Sequence, residues 1–304
     1  MTKKLAISVA IPAYNRPEMT VRAVRSALAQ RPYPPEEVVV VDDGSTDGTG
    51  EAAGAAGARV IRHAVNRGEG GARNTAFREA RQPWVALLDS DDEWLPDHLA
   101  ALWPHREGRV VLGSTAIASG ADPKHALLWG RDRDSAQLLS SPADLLRGGN
   151  ALVASSVLVR RDVVLDAGGF REDLLRCADL DLWLRVLEHG TGLVSPAVTV
   201  RYHLHGAQIS DNRAEMRSAH RAIVATYSDR QWCTPALRAH VDGILRWDEL
   251  RAALRSGDHR AAVRYAVELG TDPRKVASVI RLLASRRALR ARTRRYRQHA
   301  GRRG

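Results

Sequence analysis

Cysteine is nearly missing from this 304-residue chain: Cys177 and Cys233 are too few for a disulfide framework and lack metal-ligand spacing. No window holds the roughly eighteen uninterrupted apolar residues that a membrane-spanning helix needs. Met1-Thr2-Lys3-Lys4 leads into one apolar run that ends at Pro12. That run is shorter than a signal-peptide core and has no small-residue cleavage site, so it reads as a strand and a cytoplasmic location is expected. No internal repeat is present, and no Gly-X-Gly-X-X-Gly follows the first apolar run, which argues against a dinucleotide-binding dehydrogenase. Net charge is also absent from most of the chain. Residues 271–304 hold twelve Lys or Arg against one Asp, which is the whole excess of +11. A nucleic-acid binder spreads its basic charge over a folded face, and here the body is neutral.

What is present is an alternation. Short runs rich in Val, Ile and Leu (Leu5–Ile11, Val38–Val41, Arg59–Ile61, Trp84–Leu88 and Val110–Leu112) have the pattern of strands buried on both faces. Between them Met19–Ala29, Gly48–Ala56, Ala72–Ala80 and Pro96–His105 have helical spacing. Such alternation predicts an α/β fold with a mostly parallel, doubly wound sheet. Residues 114–150 read as a variable connection, Ala154–Val159 as a further strand, and Arg161–Ala167 and Leu180–Glu188 as helices. From Arg213 onward the chain reads as helical.

Ligands of doubly wound sheets bind beyond the carboxyl ends of the strands. The loops there are Pro12-Ala13-Tyr14-Asn15-Arg16, Asp42-Asp43-Gly44-Ser45-Thr46-Asp47 and Asp89-Ser90-Asp91-Asp92. Either acidic loop alone reads equally as a turn or helix cap. Together they gather carboxylates at one rim, where mutual repulsion calls for hydrogen-bond donors or a cation. A hard divalent ion, Mg2+ or Mn2+, suits oxygen ligands and completes its shell with water and phosphate.

These motifs, with Asn66-Arg67-Gly68 and Gly71-Ala72-Arg73-Asn74, come in the order and at the separations of the family 2 glycosyltransferases, which the first hundred residues resemble. Gly168-Gly169-Phe170 and Asp179-Leu180-Asp181-Leu182-Trp183 extend the resemblance to about residue 210. The resemblance implies the GT-A fold: a Rossmann-like sheet flanked by helices, with a helical C-terminal extension. It divides the chain into a nucleotide-sugar-binding half over residues 1–113, an acceptor-side half over 114–212, and a helical region over 213–304. It further implies inverting transfer of a sugar from a nucleoside diphosphate, UDP or dTDP favoured, to an acceptor hydroxyl. Pro12, Tyr14 and Asp42 or Asp43 would line the base and ribose pocket, and Arg73 would reach toward the nucleotide. Asp91 and Asp92 would meet the ribose and the metal, with Asp89 in support. His205 would complete the metal shell. Asp179 takes the position of the family's general base and Asp181 is its alternative, while Ala178 replaces the family's Glu. Trp183 and Cys177 read as packing residues.

Two other activities remain open at this point. A nucleotidyltransferase would carry a Gly-rich basic loop where Pro12-Ala13-Tyr14-Asn15 stands, and a non-catalytic sugar-nucleotide-binding protein would suit the missing Glu. The expected partners are a nucleotide sugar and an acceptor saccharide, lipid-linked saccharide or small natural product, with no nucleic acid. The basic C-terminal helix reads as a terminal helix on the body, as a peripheral contact with the inner face of an anionic membrane, or as a contact with an acidic partner or nucleic acid.

Overall fold

The computed structural model describes residues 4–119, 127–129, 135–148, 150–204, 212–281 and 283. Strand β1, Leu5–Ala13, is buried at every position except Ala6. It is apolar at odd and even positions alike because helices cover both of its faces. It pairs in parallel with β2, Pro35–Asp42, on one side and with β4, Trp84–Leu87, on the other. β3, Arg59–Arg62, continues the sheet beyond β2. The crossovers are α1 (Pro17–Leu28), α2 (Thr49–Ala55) and α3 (Gly68–Glu79). Pro17 at the first turn of α1 gives up an amide that the helix would leave unpaired. Since the chain runs from β1 outward to β2 and β3 and then returns to β4, strand order reverses between β1 and β4. A crevice opens at such a reversal.

The rest of the sheet is mixed. β5 is Glu93–Trp94, β6 Val111–Ser119, β7 Leu127–Trp129, β8 Gln137–Leu139, β9 Val157–Arg160 and β10 Gly192–His203. The order is β3-β2-β1-β4-β9-β6-β10-β5, with β7 on β6 and β8 on β10. β9 runs antiparallel between β4 and β6, and β10 runs parallel to β6. Residues 114–150, predicted as a connection, supply the second half of β6 and also β7, β8 and α5, Pro142–Arg147. β10 has no counterpart in the sequence reading. Gly192, Ser195, Pro196 and Thr199 break its apolar alternation, and its register shifts twice between Val194 and Val200. The helices here are α4 (His98–Leu102), α6 (Arg161–Asp166) and α7 (Ala178–Val186). Leu5, Ile7, Val9, Ile11, Val38, Val40, Leu88, Leu112 and Leu158 form the continuous core.

Residues 1–142 and 150–205 make one compact unit, and residues 143–149 and 206–304 make a second. The second contains α8 (Arg213–Thr226), α9 (Pro235–Ser256) and α10 (His259–Gly270), which Asn212, Thr234 and Asp258 cap by accepting from Glu215, Leu237 and Ala261 amides. Arg221 pairs with Asp242 at 3.1 Å and Glu249 at 2.7 Å, and Lys275 pairs with Asp242 at 2.7 Å. Gly243 lets the backbone at Lys275 approach α9, where a Cβ would stand 2.9 Å from the Lys275 Cα.

Candidate active site

The loops after β1 and β2 are stitched together. Asn15, in a left-handed conformation at φ 49, donates its amide to Ser45 Oγ at 3.0 Å and accepts from the Thr46 amide at 2.9 Å. The Arg16 amide donates to Thr49 Oγ1 at 2.9 Å. Tyr14 stands 46% exposed at the mouth of this pair, while Pro12 lies buried within β1 opposite Val41.

The adjacent carboxylates of Asp42 and Asp43 have separate tasks. Asp42 is fully buried, and its Oδ1 accepts from the Ser45 amide at 2.9 Å. Its Oδ2 has no hydrogen-bond partner among the described residues, lies 3.6 Å from Arg62 Nε, and fills the space a Cβ on Gly50 would need. Asp43 turns the other way. Its Oδ1 takes the His63 ring at 2.6 Å and the Arg67 amide at 2.9 Å. Both hydrogen bonds that its side chain makes among the described residues fall on Oδ1.

At the end of β4 the run Asp89-Ser90-Asp91-Asp92 divides into three environments. Asp89 accepts from Arg73 Nη2 at 2.6 Å. Asp91 pairs with Arg16 at 2.5 Å. Asp92 is fully buried: Oδ2 accepts from Ser155 Oγ at 2.5 Å and Oδ1 from the His203 amide at 3.1 Å. Burial first, and then the charges of Asp89 and Asp91, push the Asp92 carboxyl well above the usual carboxylate range. His203 also meets Glu93 at 2.8 Å through Nε2, so β5 and the end of β10 close this side of the crevice. His205 lies outside the described residues. Among the described residues no three His, Cys, Asp or Glu side chains assemble as a metal cage. Asp89 and Asp91 nonetheless offer partly exposed hard oxygens, a donor set that fits an ion completed by water and phosphate.

Arg73 joins the halves of the site. It is 5% exposed, and its guanidinium reaches Glu69 at 2.5 Å and Asp89 at 2.6 Å and lies 5.1 Å from the Phe170 ring centroid. Asp89, Glu69 and Asp179 all hold it more firmly protonated, against desolvation by burial. Arg73 is thus enclosed by protein acids rather than extended toward open solvent. The next residue, Asn74, binds the backbone of Phe170 twice, accepting from its amide at 2.7 Å and donating to its carbonyl at 2.8 Å. Gly169 permits this approach: its φ is +70, and a Cβ there would lie 2.5 Å from Asn74 Oδ1.

Asp179 sits in the first turn of α7 and accepts from Asn150 Nδ2 at 2.9 Å. Burial raises its carboxyl above the usual range, against the pull of the Leu180 amide, Arg73 and Asn150. Asp181 points into the core, fully buried, and is held by Arg185 at 2.6 Å. Trp183 is fully buried and donates to the Leu152 carbonyl at 3.0 Å, the packing role expected of it. Burial and Asp179 push the Cys177 thiol up to about 12, away from the thiolate form. Glu69, Asn150, Ser155 and His63 are site residues absent from the sequence reading, and Arg16 stood there only as a member of the first loop. Only Glu69 left a signal there, four residues before Arg73 on one helix face.

Residues 8–140 match the model of Glycosyl transferase family 2. The chain is 46% identical over 96 residues to the succinoglycan biosynthesis protein ExoO of Rhizobium meliloti, a match covering 31% of this chain and 27% of ExoO. Over 233 residues it is 30% identical to an uncharacterized Mycobacterium tuberculosis protein, covering 71% of this chain and 72% of that one. It is 28% identical over 214 residues to the Escherichia coli UDP-Glc:alpha-D-GlcNAc-diphosphoundecaprenol beta-1,3-glucosyltransferase WfaP, covering 68% and 80%. In fold it is similar to S. aureus TarS in complex with UDP-GlcNAc (TM-score 0.63, 18% identity, 86% of this chain and 79% of that one). It is likewise similar to the Pyrobaculum calidifontis mannosyltransferase PcManGT in complex with GDP-Man and Mn2+ (TM-score 0.60, 21% identity, 95% and 87%). With its GT-A architecture and these kinships, the chain belongs to glycosyl transferase family 2, a family of sugar-transferring enzymes.

Proposed function

We propose that the chain moves a sugar with inversion from a nucleoside diphosphate, UDP or dTDP favoured, to the hydroxyl of a saccharide, a lipid-linked saccharide or a small natural product. The observation that carries this reading is the convergence of Asp89 from the donor loop, Arg73 from α3 and Asp179 from α7 within one electrostatic cluster. Asp179 is the general base: it takes the proton of the acceptor hydroxyl as that oxygen bonds to the anomeric carbon, and the anomeric bond to the diphosphate breaks with its electrons on the leaving group. Burial raises its proton affinity and so makes it a stronger base than a solvated carboxylate. Asp181 is held in an ion pair by Arg185, which favours Asp179 over it. A bound Mn2+ or Mg2+ would supply Lewis-acid stabilisation of the negative charge on the leaving diphosphate. Asp91 and Asp89 would hold that ion, Asp89 being held in turn by Arg73, while Ser155 and the His203 amide fix Asp92.

The test is a transfer and hydrolysis assay over a panel of nucleotide sugars with Mn2+ or Mg2+. Asp179→Asn and Asp91→Asn should each lower turnover by about 10² or more while the fold survives. Turnover that neither change lowers sinks the assignment.

The second unit supports a further contact. Val263 and Val267 on α10 are 65% and 59% exposed, and Ile280 in the helical run 273–281 is 63% exposed, with Arg260, Arg264, Arg274 and Arg281 on the same helices. Apolar residues flanked by arginines suit an anionic bilayer surface. Co-sedimentation with phosphatidylglycerol vesicles but not with phosphatidylcholine vesicles is expected, and equal recovery from both refutes the contact.

A further inference from the structure

A polar chain runs behind Asp43, through residues that the proposed reaction does not use. His63 follows β3 directly, and its amide donates to the Asp42 carbonyl at 2.9 Å, which fixes its backbone on β2. Its ring Nδ1 meets Asp43 Oδ1 at 2.6 Å and its Nε2 meets Thr75 Oγ1 at 3.0 Å. Arg78 Nη2 donates to the same Thr75 oxygen at 3.1 Å. Only 9% of the His63 side chain and 4% of that of Asp43 reach solvent.

With the ring neutral, one proton arrangement satisfies every link. Arg78 can only donate, and Asp43 as a carboxylate can only accept. The Thr75 hydroxyl, accepting from Arg78, passes its own proton to Nε2, and the neutral imidazole donates from Nδ1 to Asp43. The donors therefore all point one way, from Arg78 through Thr75 and His63 to Asp43. Such a chain polarises its members in the same sense and strengthens its last bond. With the Arg67 amide, it fixes two donors on Oδ1 and so sets the rotation of the carboxylate that Oδ2 completes.

We propose that His63, backed by Thr75 and Arg78, is a positioning residue for recognition of the donor's base. It holds Asp43 so that Oδ2 presents a fixed acceptor to a ring N–H, and so selects a base that carries one. This inference rests on the reading that the donor nucleotide meets Asp43. Uracil presents an N–H at ring position 3, whereas cytosine presents a lone pair there, so a fixed carboxylate accepts the first base and repels the second. A carboxylate free to rotate discriminates less, because it can swing away from the wrong base.

Calorimetry on the full chain with UDP and CDP, each in the presence of Mn2+, tests the proposal. His63→Ala should weaken UDP binding about tenfold, the effect of one misdirected hydrogen bond, and should reduce the preference for UDP over CDP by a similar factor. His63→Asn, whose side-chain amide can donate from nearly the position of Nδ1, should restore most of that preference. Thr75→Val, which keeps the shape and removes the hydroxyl, should lose about threefold. In the transfer assay the His63→Ala defect should lie in the donor KM rather than in kcat. Melting curves identify a variant that fails to fold, and Thr75→Val then carries the test. An unchanged preference in folded His63→Ala, alongside a lost preference in Asp43→Ala, overturns the role of His63. An unchanged preference in Asp43→Ala instead overturns the assignment of Asp43 to the base.

Discussion

Replacing Asn74 by Ala should be among the most damaging single changes outside the apolar core. Asn74 is 8% exposed and Phe170 2% exposed, so water cannot readily take over the bonds between them. The substitution removes both the acceptor at 2.7 Å from the Phe170 amide and the donor at 2.8 Å from its carbonyl. Each buried backbone group left unpaired costs about 1–3 kcal/mol, and since neighbouring losses overlap, a total of about 3 kcal/mol is expected. For a body of some two hundred residues that corresponds to a fall of roughly 6–12 °C in Tm. Gly169→Ala attacks the same contact from the other side, with a Cβ 2.5 Å from Asn74 Oδ1 and a φ of +70. In the native background it combines steric conflict with left-handed strain, whereas in Asn74→Ala only the strain, about 1–2 kcal/mol, remains. A double-mutant cycle by urea denaturation should therefore show that Gly169→Ala is milder in the Asn74→Ala background. A loss under about 2 °C for Asn74→Ala, or an equal Gly169→Ala penalty in both backgrounds, refutes this account of the clamp.

Asp179→Asn should lower transfer by about 10²–10⁴ and yet raise Tm at pH 7. The sign follows from the raised carboxyl: its contribution to stability is full below the unfolded carboxylate range and is lost as pH rises through the folded value, so at neutral pH the charged form opposes folding. The advantage of the Asn variant should shrink toward pH 4, and a lower Tm than wild type at pH 7 contradicts the assignment. By the same shift, the acidic limb of the kcat/KM profile should lie above the ordinary carboxylate range. Asp181→Asn should do the reverse, losing about 3 kcal/mol of stability by stranding Arg185, as urea titration can show. Gly50→Ala must displace the buried Asp42 carboxylate, 2.5 Å from the new Cβ, and should destabilise by about 1–3 kcal/mol in the same measurement.

The parallel half of the sheet was legible because its strands are doubly covered and so are written as unbroken apolar runs. Val38–Val41 and Trp84–Leu88 carry that signal, and each ends on an acidic loop. β10 was not legible, because Pro196 and Thr199 interrupt it and its partners β6, β8 and β5 come from three distant stretches. The candidate residues Asp43, Asp89, Asp91 and Asp179 could be singled out by residue type and position. Their partners could not. Ser155 reaches Asp92 across 63 residues and Asn74 reaches Phe170 across 96, and no local pattern encodes such pairings. Adjacent identical residues also hid opposite roles. Whether Asp42 or Asp43 turns inward depends on Gly50 and Ser45, which a linear motif does not rank.

The acidic cluster around Arg73 has a kinetic corollary. Glu69, Asp89, Asp91 and Asp179 lie within electrostatic reach of one another, and Arg16 and Arg73 are the cations paired among them. With these six ionised, four negative charges stand against two positive ones. A nucleoside diphosphate entering without its counter-charge meets a field of its own sign. On the proposed reading, a cation would therefore enter first or together with the nucleotide.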